Sequence, residues 1–140
     1  MTERKNVYFA DEIFALLDLD EGDRLSERVN YLIGAYYTMI ADSMPLFSRG
    51  EWCAIMDANN GTLYDHILPS MLWANLHDSP GMSAKWDIDQ GDLVKQLQSL
   101  SRSQLLAVQE AINGFWRHHE LPTDEALQRA GAKIIESGET

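Results

Sequence analysis

Between residues 26 and 45 the chain repeats apolar side chains at helical spacing: Val29, Leu32, Ile33, Tyr36, Tyr37 and Ile40. A period near 3.6 places all six on one side of a helix, and a stripe of that width has to be covered by something. Ser26 is a good N-cap, Glu27 suits the positive helix start, and Pro45 marks the end. Most of the remaining segments repeat this pattern, so the fold class is expected to be mainly α.

The exception lies at residues 5–10. Lys5-Asn6-Val7-Tyr8-Phe9-Ala10 is rich in strand formers, with Val7 and Phe9 on one face and Arg4, Asn6 and Tyr8 on the other. Asp11 is read as the cap of a short helix over 12–19, with Ile13, Leu16 and Leu17 on its apolar side. Gly22 suits the left-handed turn that follows. A third helix starts at Ser48, which has capping-box spacing to Glu51. It carries Trp52, Ile55 and Met56 as its buried stripe and stops at Asn59-Asn60-Gly61. A fourth is expected over 63–76, kinked or split by Pro69, before a loop at 77–81. Helices are then expected over 89–99, over 101–118 (opened by Ser101 and Gln104) and over 125–135, preceded by Thr123, with a frayed tail from 137. This pattern predicts an N-terminal module over 1–44 and a helical extension over 45–140.

Two stretches of the extension align without a gap. Residues 48–61 and 101–114 agree at six of fourteen positions: Ser48 with Ser101, Arg49 with Arg102, Ala54 with Ala107, Ala58 with Ala111, Asn60 with Asn113, and Gly61 with Gly114. Either a helical unit has been duplicated, or two capped amphipathic helices obey the same local rules. The residues alone leave both open.

The chemistry-bearing side chains form no recognisable catalytic motif. His118-His119-Glu120 has the composition of a metal cluster, but adjacent helical residues point about 100° apart, so two neighbouring imidazoles rarely reach one ion. His66 is near Asp65 in sequence, as on a solvated helix face, and Cys53 follows Trp52 inside an amphipathic helix, where a buried structural thiol is expected. Trp52, Trp73, Trp86 and Trp116 read as core or interface anchors. No phosphate-binding glycine loop, GxSxG elbow or HExxH helix is present. The expectation is a chain with no catalytic residues, no metal ligands and no cofactor. The lone cysteine forms no internal disulfide, and residues 1–6 lack the apolar run of a signal peptide, so a cytoplasmic protein is expected. The most apolar stretch, 29–41, is too short to cross a bilayer, so no membrane partner is expected.

The net charge of -11 repels nucleic acid and anionic membranes at long range. Neither half offsets it: residues 1–42 hold four basic against nine acidic side chains, and 43–140 hold seven against thirteen.

Residues 4–42 nevertheless resemble the ribbon–helix–helix family of small repressors and antitoxins. The resemblance is carried by the strand Asn6-Val7-Tyr8-Phe9, the short helix after Asp11, the Gly22 turn, and the helix opening Ser26-Glu27-Arg28-Val29. It implies a homodimer in which two strands pair as an antiparallel ribbon and enter the major groove of double-stranded DNA. On that model Arg4, Asn6 and Tyr8 face the groove, and Leu25, Ser26 and Glu27 lie near phosphate. Val7, Phe9, Val29, Leu32, Ile33 and Tyr36 form the dimer core. A lone strand needs a partner for its backbone groups, and a twofold copy supplies one. The expected function is a DNA-binding transcriptional regulator. The alternative is an acidic helical protein that binds another protein through its negative surface, as phage-type inhibitors block nucleic-acid-binding partners.

Overall fold

A computed structural model describes residues 9–20, 22, 24–60 and 69–135. Among these residues there are eight helices and two very short strands, so the mainly α expectation stands. The chain divides into two compact units, Met1–Thr38 and Met39–Thr140.

The first unit holds α1 (Asp11–Leu16) and most of α2 (Leu25–Ser43). Helix α1 is shorter than the sequence implied. Its N-cap is Ala10, without a side-chain cap bond, while Asp11 and Glu12 supply negative charge to the first turn. The helix gives out at Leu17, and Asp18 adopts a left-handed φ of 50°, a conformation that Asp tolerates better than most residues. Helix α2 begins one residue ahead of the expected cap Ser26, with Arg28 N–H already bonded to Arg24 O at 3.0 Å.

The second unit is built on α3 (Arg49–Ala58), α4 (Pro69–Asp78), α5 (Met82–Trp86), α6 (Gln90–Ser99), α7 (Arg102–His118) and α8 (Asp124–Arg129). Helix α4 packs on α6, α3 and α7, and α7 packs on α8. Trp52, Ile55, Leu72, Leu76, Leu93, Leu97, Ile112, Phe115 and Leu127 lie at the centre, fully buried. Both expected capping boxes form. Ser48 Oγ accepts from Glu51 N at 3.1 Å, and Ser101 Oγ accepts from Gln104 N at 3.2 Å; each is answered by the acidic or amide side chain reaching back to the cap N–H. The two aligned stretches also bury matching positions: Ala54 and Ala107, Ile55 and Val108, Trp52 and Leu105.

Several sequence expectations are corrected here. The chain does not have a single strand, because β1 (Leu46–Phe47) and β2 (Lys133–Ile134) pair in parallel, Leu46 with Lys133 and Phe47 with Ile134. The last helix does not reach 135. It ends at Arg129, and Gly131 at φ 98° turns the chain into β2. The segment 77–81 is only partly loop, since α4 continues to Asp78 and a further helix, α5, starts at Met82. The portion of the fourth helix before Pro69 lies outside the described residues.

Tryptophan indoles tie these pieces together. Trp52 Nε1 donates to Lys133 O at 2.8 Å, holding β2 against α3, and its ring meets Phe47 edge-on at 5.2 Å. Trp86 Nε1 donates to Asp57 Oδ2 at 3.0 Å, and Lys85 Nζ sits 2.6 Å from the same oxygen, so α5 is pinned to α3. Trp116 Nε1 donates to Met56 O at 3.0 Å. Three of the four tryptophans therefore anchor one element to another with satisfied N–H groups, Trp52 from within the core and Trp86 and Trp116 from half-buried positions.

Candidate interaction surface

The second unit closes a core of its own, whereas the described residues of the first do not. Among the described side chains of residues 9–38, only Leu17 is buried. Helix α1 buries no residue, and Ile13, Phe14 and Leu16 are 48%, 46% and 74% exposed. Of the 19 residues of α2, only Ile40 is buried. Leu25, Ile33, Tyr37 and Met39 lie open, while Val29, Leu32 and Tyr36 are half-buried. An amphipathic pattern has therefore produced the helix, but among the described residues its stripe is only partly covered, with Leu25, Ile33, Tyr37 and Met39 left exposed. Such exposure is costly in water, at roughly 25 cal/mol per Å² of apolar surface.

Charged groups surround the start of α2. Asp18, Asp20, Arg24, Glu27 and Arg28 line an open groove of about 410 Å³. Arg28 Nε donates to Leu17 O at 2.9 Å, which ties the end of α1 to α2, and its guanidinium lies 5.9 Å from the Tyr31 ring centroid. Arg24 pairs with Glu27 at 3.5 Å. Three carboxylates against two guanidiniums leave the groove net negative, at the place where the resemblance expects phosphate.

The candidate residues distribute as follows. Arg4, Asn6, Val7 and Tyr8 lie outside the described residues. Phe9 is half-buried, with its ring 6.4 Å from Phe14. Leu25, Ser26 and Glu27 are exposed on the first turn of α2. Val29, Leu32, Ile33 and Tyr36 share one side of α2 by helical spacing. Sequence reasoning passed over Phe14 and Met39, although Met39 stands seven residues after Leu32 and fourteen after Leu25 and so falls on the same stripe.

The second unit's reactive groups are engaged in structure. Cys53 is fully buried, with Sγ 3.5 Å from Pro122 O; burial pushes its thiol pKa up, against a smaller lowering by Arg49. Arg49 bonds Asp124 and is held charged by that carboxylate. His119 packs on Phe115 at 5.7 Å and His118 lies 6.4 Å from His119. Among the described residues, no three His, Cys, Asp or Glu side chains are grouped to hold a metal ion, and no helix is long and apolar enough to cross a membrane. A scan against protein-family models and searches of curated proteins and solved structures found no match.

Proposed function

We propose that this chain acts by binding rather than by turnover: it self-associates through the apolar faces of α1 and α2, and the assembled protein engages another protein. The observation that carries this is the exposed apolar row on α1 and α2, Ile13, Phe14, Leu16, Leu25, Ile33, Tyr37 and Met39. At roughly 170 Å² for a fully exposed side chain of this size, these residues offer on the order of 600 Å² per chain, what each partner of a small specific interface buries. The first unit also has reason to associate. Units below about 40 residues rarely close a core unaided, and oligomerisation is one usual remedy.

A protein partner is favoured over nucleic acid by the charges. The groove at the start of α2 is net negative. The second unit, residues 39–140, holds fourteen acidic against seven basic side chains; Lys95, Arg102, Arg117 and Lys133 face solvent, but so do Asp78, Asp87, Asp89 and Asp92, which cluster within fifteen residues of sequence. A basic protein surface is the complementary partner, in keeping with an inhibitor that occupies a nucleic-acid-binding site.

The ribbon–helix–helix regulator is the second reading. It is favoured by the sequence of short helix, left-handed Asp18, and long helix with a partly exposed apolar stripe, which is what half of an interlocked dimer displays. On that reading Arg4, Asn6 and Tyr8 read bases, Leu25, Ser26 and Glu27 lie near phosphate, and Arg4, Lys5, Arg24 and Arg28 supply the local positive charge. One measurement tests the dimer that both readings share, and a second separates them. Sedimentation of wild type should show a dimer and Ile33→Lys a folded monomer. Selection from a randomised duplex library at low salt should enrich nothing. An enriched twofold site, with preference relaxed by Arg4→Ala and Asn6→Ala, replaces the protein-partner reading with the regulator.

A further inference from the structure

The stripe on α2 has a finer order than amphipathicity requires. Leu25, Val29, Leu32, Tyr36 and Met39 advance by alternating steps of four and three residues, the spacing of a helix–helix seam. Only two such repeats are present, fewer than an autonomous coiled coil needs, so the seam is a contact between short helices. It has two flanks. On one, Ile33 is half exposed but Ile40 is already buried, which closes that side toward the C-terminal end. On the other, Arg28, Ala35 and Asp42 follow one another at seven-residue intervals.

The two charges stand at the wrong ends of their own helix. Arg28 lies in the first turn of α2, where the helix dipole disfavours a cation, and Asp42 lies in the last turn, where it disfavours an anion; no basic residue accompanies Asp42 there. Local helix chemistry argues against both placements. An antiparallel second copy reverses the argument. Around a twofold axis near Ala35, Val29 meets Met39 of the second copy, Leu32 meets Tyr36, and Arg28 meets Asp42. Each charge then faces its opposite and lies at the favourable end of the neighbouring helix. Ala35 on the axis lets the backbones approach. Arg28 and Asp42 are about 21 Å apart along α2, so the two ion pairs flank the seam symmetrically. Arg28 forms no ion pair, and Asp42 none, among the described residues, and Asp42 is exposed.

We infer that the occupant of the α2 face is α2 of a second copy, antiparallel, with reciprocal Arg28–Asp42 pairs setting the register. This rests on the self-association proposed above and specifies its geometry. Antiparallel orientation follows from the charges, because a parallel pair sets the Arg28–Asp42 flank of each helix against the Ile33–Ile40 flank of the other, where neither charge meets its opposite.

Charge reversal with rescue tests it by sedimentation velocity over a concentration series of the full chain. Arg28→Asp and Asp42→Arg should each raise the dimer Kd by roughly tenfold or more, since each turns two attractive pairs into repulsive ones. The double variant should return Kd to within about threefold of wild type. Asp42→Arg is the cleaner single variant: it leaves the Arg28–Leu17 bond intact and removes an anion from the negative end of α2, so helicity by circular dichroism should hold or rise while the dimer weakens. If the double variant fails to rescue, or the single variants leave Kd unchanged while Ile33→Lys abolishes the dimer, the antiparallel register is wrong and self-association stands. If wild type is monomeric throughout, both fall.

Discussion

Gly50→Ala sets helix propensity against packing, and the structure decides between them. Gly50 is the second residue of α3, and alanine there is favoured locally by up to about 1 kcal/mol. A Cβ built on Gly50, however, falls 2.5 Å from the backbone oxygen of Trp86 and 3.0 Å from Ile88 Cγ2. The nearer obstacle is main chain and has no rotamer by which to withdraw. Relief requires α5 to retreat by roughly 0.9 Å if the contact is to reach ordinary van der Waals distance. That retreat lengthens the 3.0 Å bond from Trp86 Nε1 to Asp57 and the Lys85–Asp57 pair. Overpacking of this kind costs about 1–3 kcal/mol and a weakened hydrogen bond about 1 kcal/mol. Less the propensity gain, the net is about 1–3 kcal/mol of destabilisation, or a Tm lower by roughly 4–12 °C. All four tryptophans lie in Met39–Thr140, so their fluorescence in a urea titration follows this unit alone. Gly91→Ala is the control: its Cβ meets only Asp89 Oδ1, at 3.7 Å, and it should hold or gain up to about 1 kcal/mol. A Gly50→Ala protein as stable as wild type would refute the account of how α5 is seated on α3.

The two capping boxes should respond alike: Ser48→Ala and Ser101→Ala should each cost about 1 kcal/mol in the same urea titration, and a negligible loss at either would mean that water replaces that cap. Cys53 predicts a pH dependence. Its folded pKa is raised above 9.0 by burial, so its contribution to stability is intact below pH 9.0 and is lost as pH rises through the folded value. Wild type should therefore lose more stability than Cys53→Ala between pH 8 and about pH 11, and parallel curves would count against a desolvated thiol.

The features legible in the sequence are those governed by residues three or four apart. Ser48 with Glu51, Ser101 with Gln104 and Thr123 with Ala126 all form as N-terminal caps, because a cap needs only its own first turn. The amphipathic stripes of α3 and α7 are buried at the positions that their period marks. Two local caps failed, since α1 is capped from Ala10 and not Asp11 and α2 already contains Ser26; the other failures involve distant partners. Helix α5 is too short to announce itself by periodicity. It is held by Asp57 of α3 and by the close approach that Gly50 permits. Strand β2 forms in residues expected to be helical, because Phe47 and the Trp52 indole supply hydrogen-bond partners from a remote part of the chain.

The same division runs through the candidate site. The spacing of Val29, Leu32, Ile33 and Tyr36 by itself determined that α2 is helical and that one side of it requires cover. Periodicity has no information about where the cover comes from, because burial depends on what the rest of the chain brings near. The tertiary structure decided that point. It closes Trp52, Leu97 and Phe115 into a core of their own and leaves Leu25, Ile33 and Tyr37 in solvent, so the apolar area still to be buried lies on the surface of the first unit.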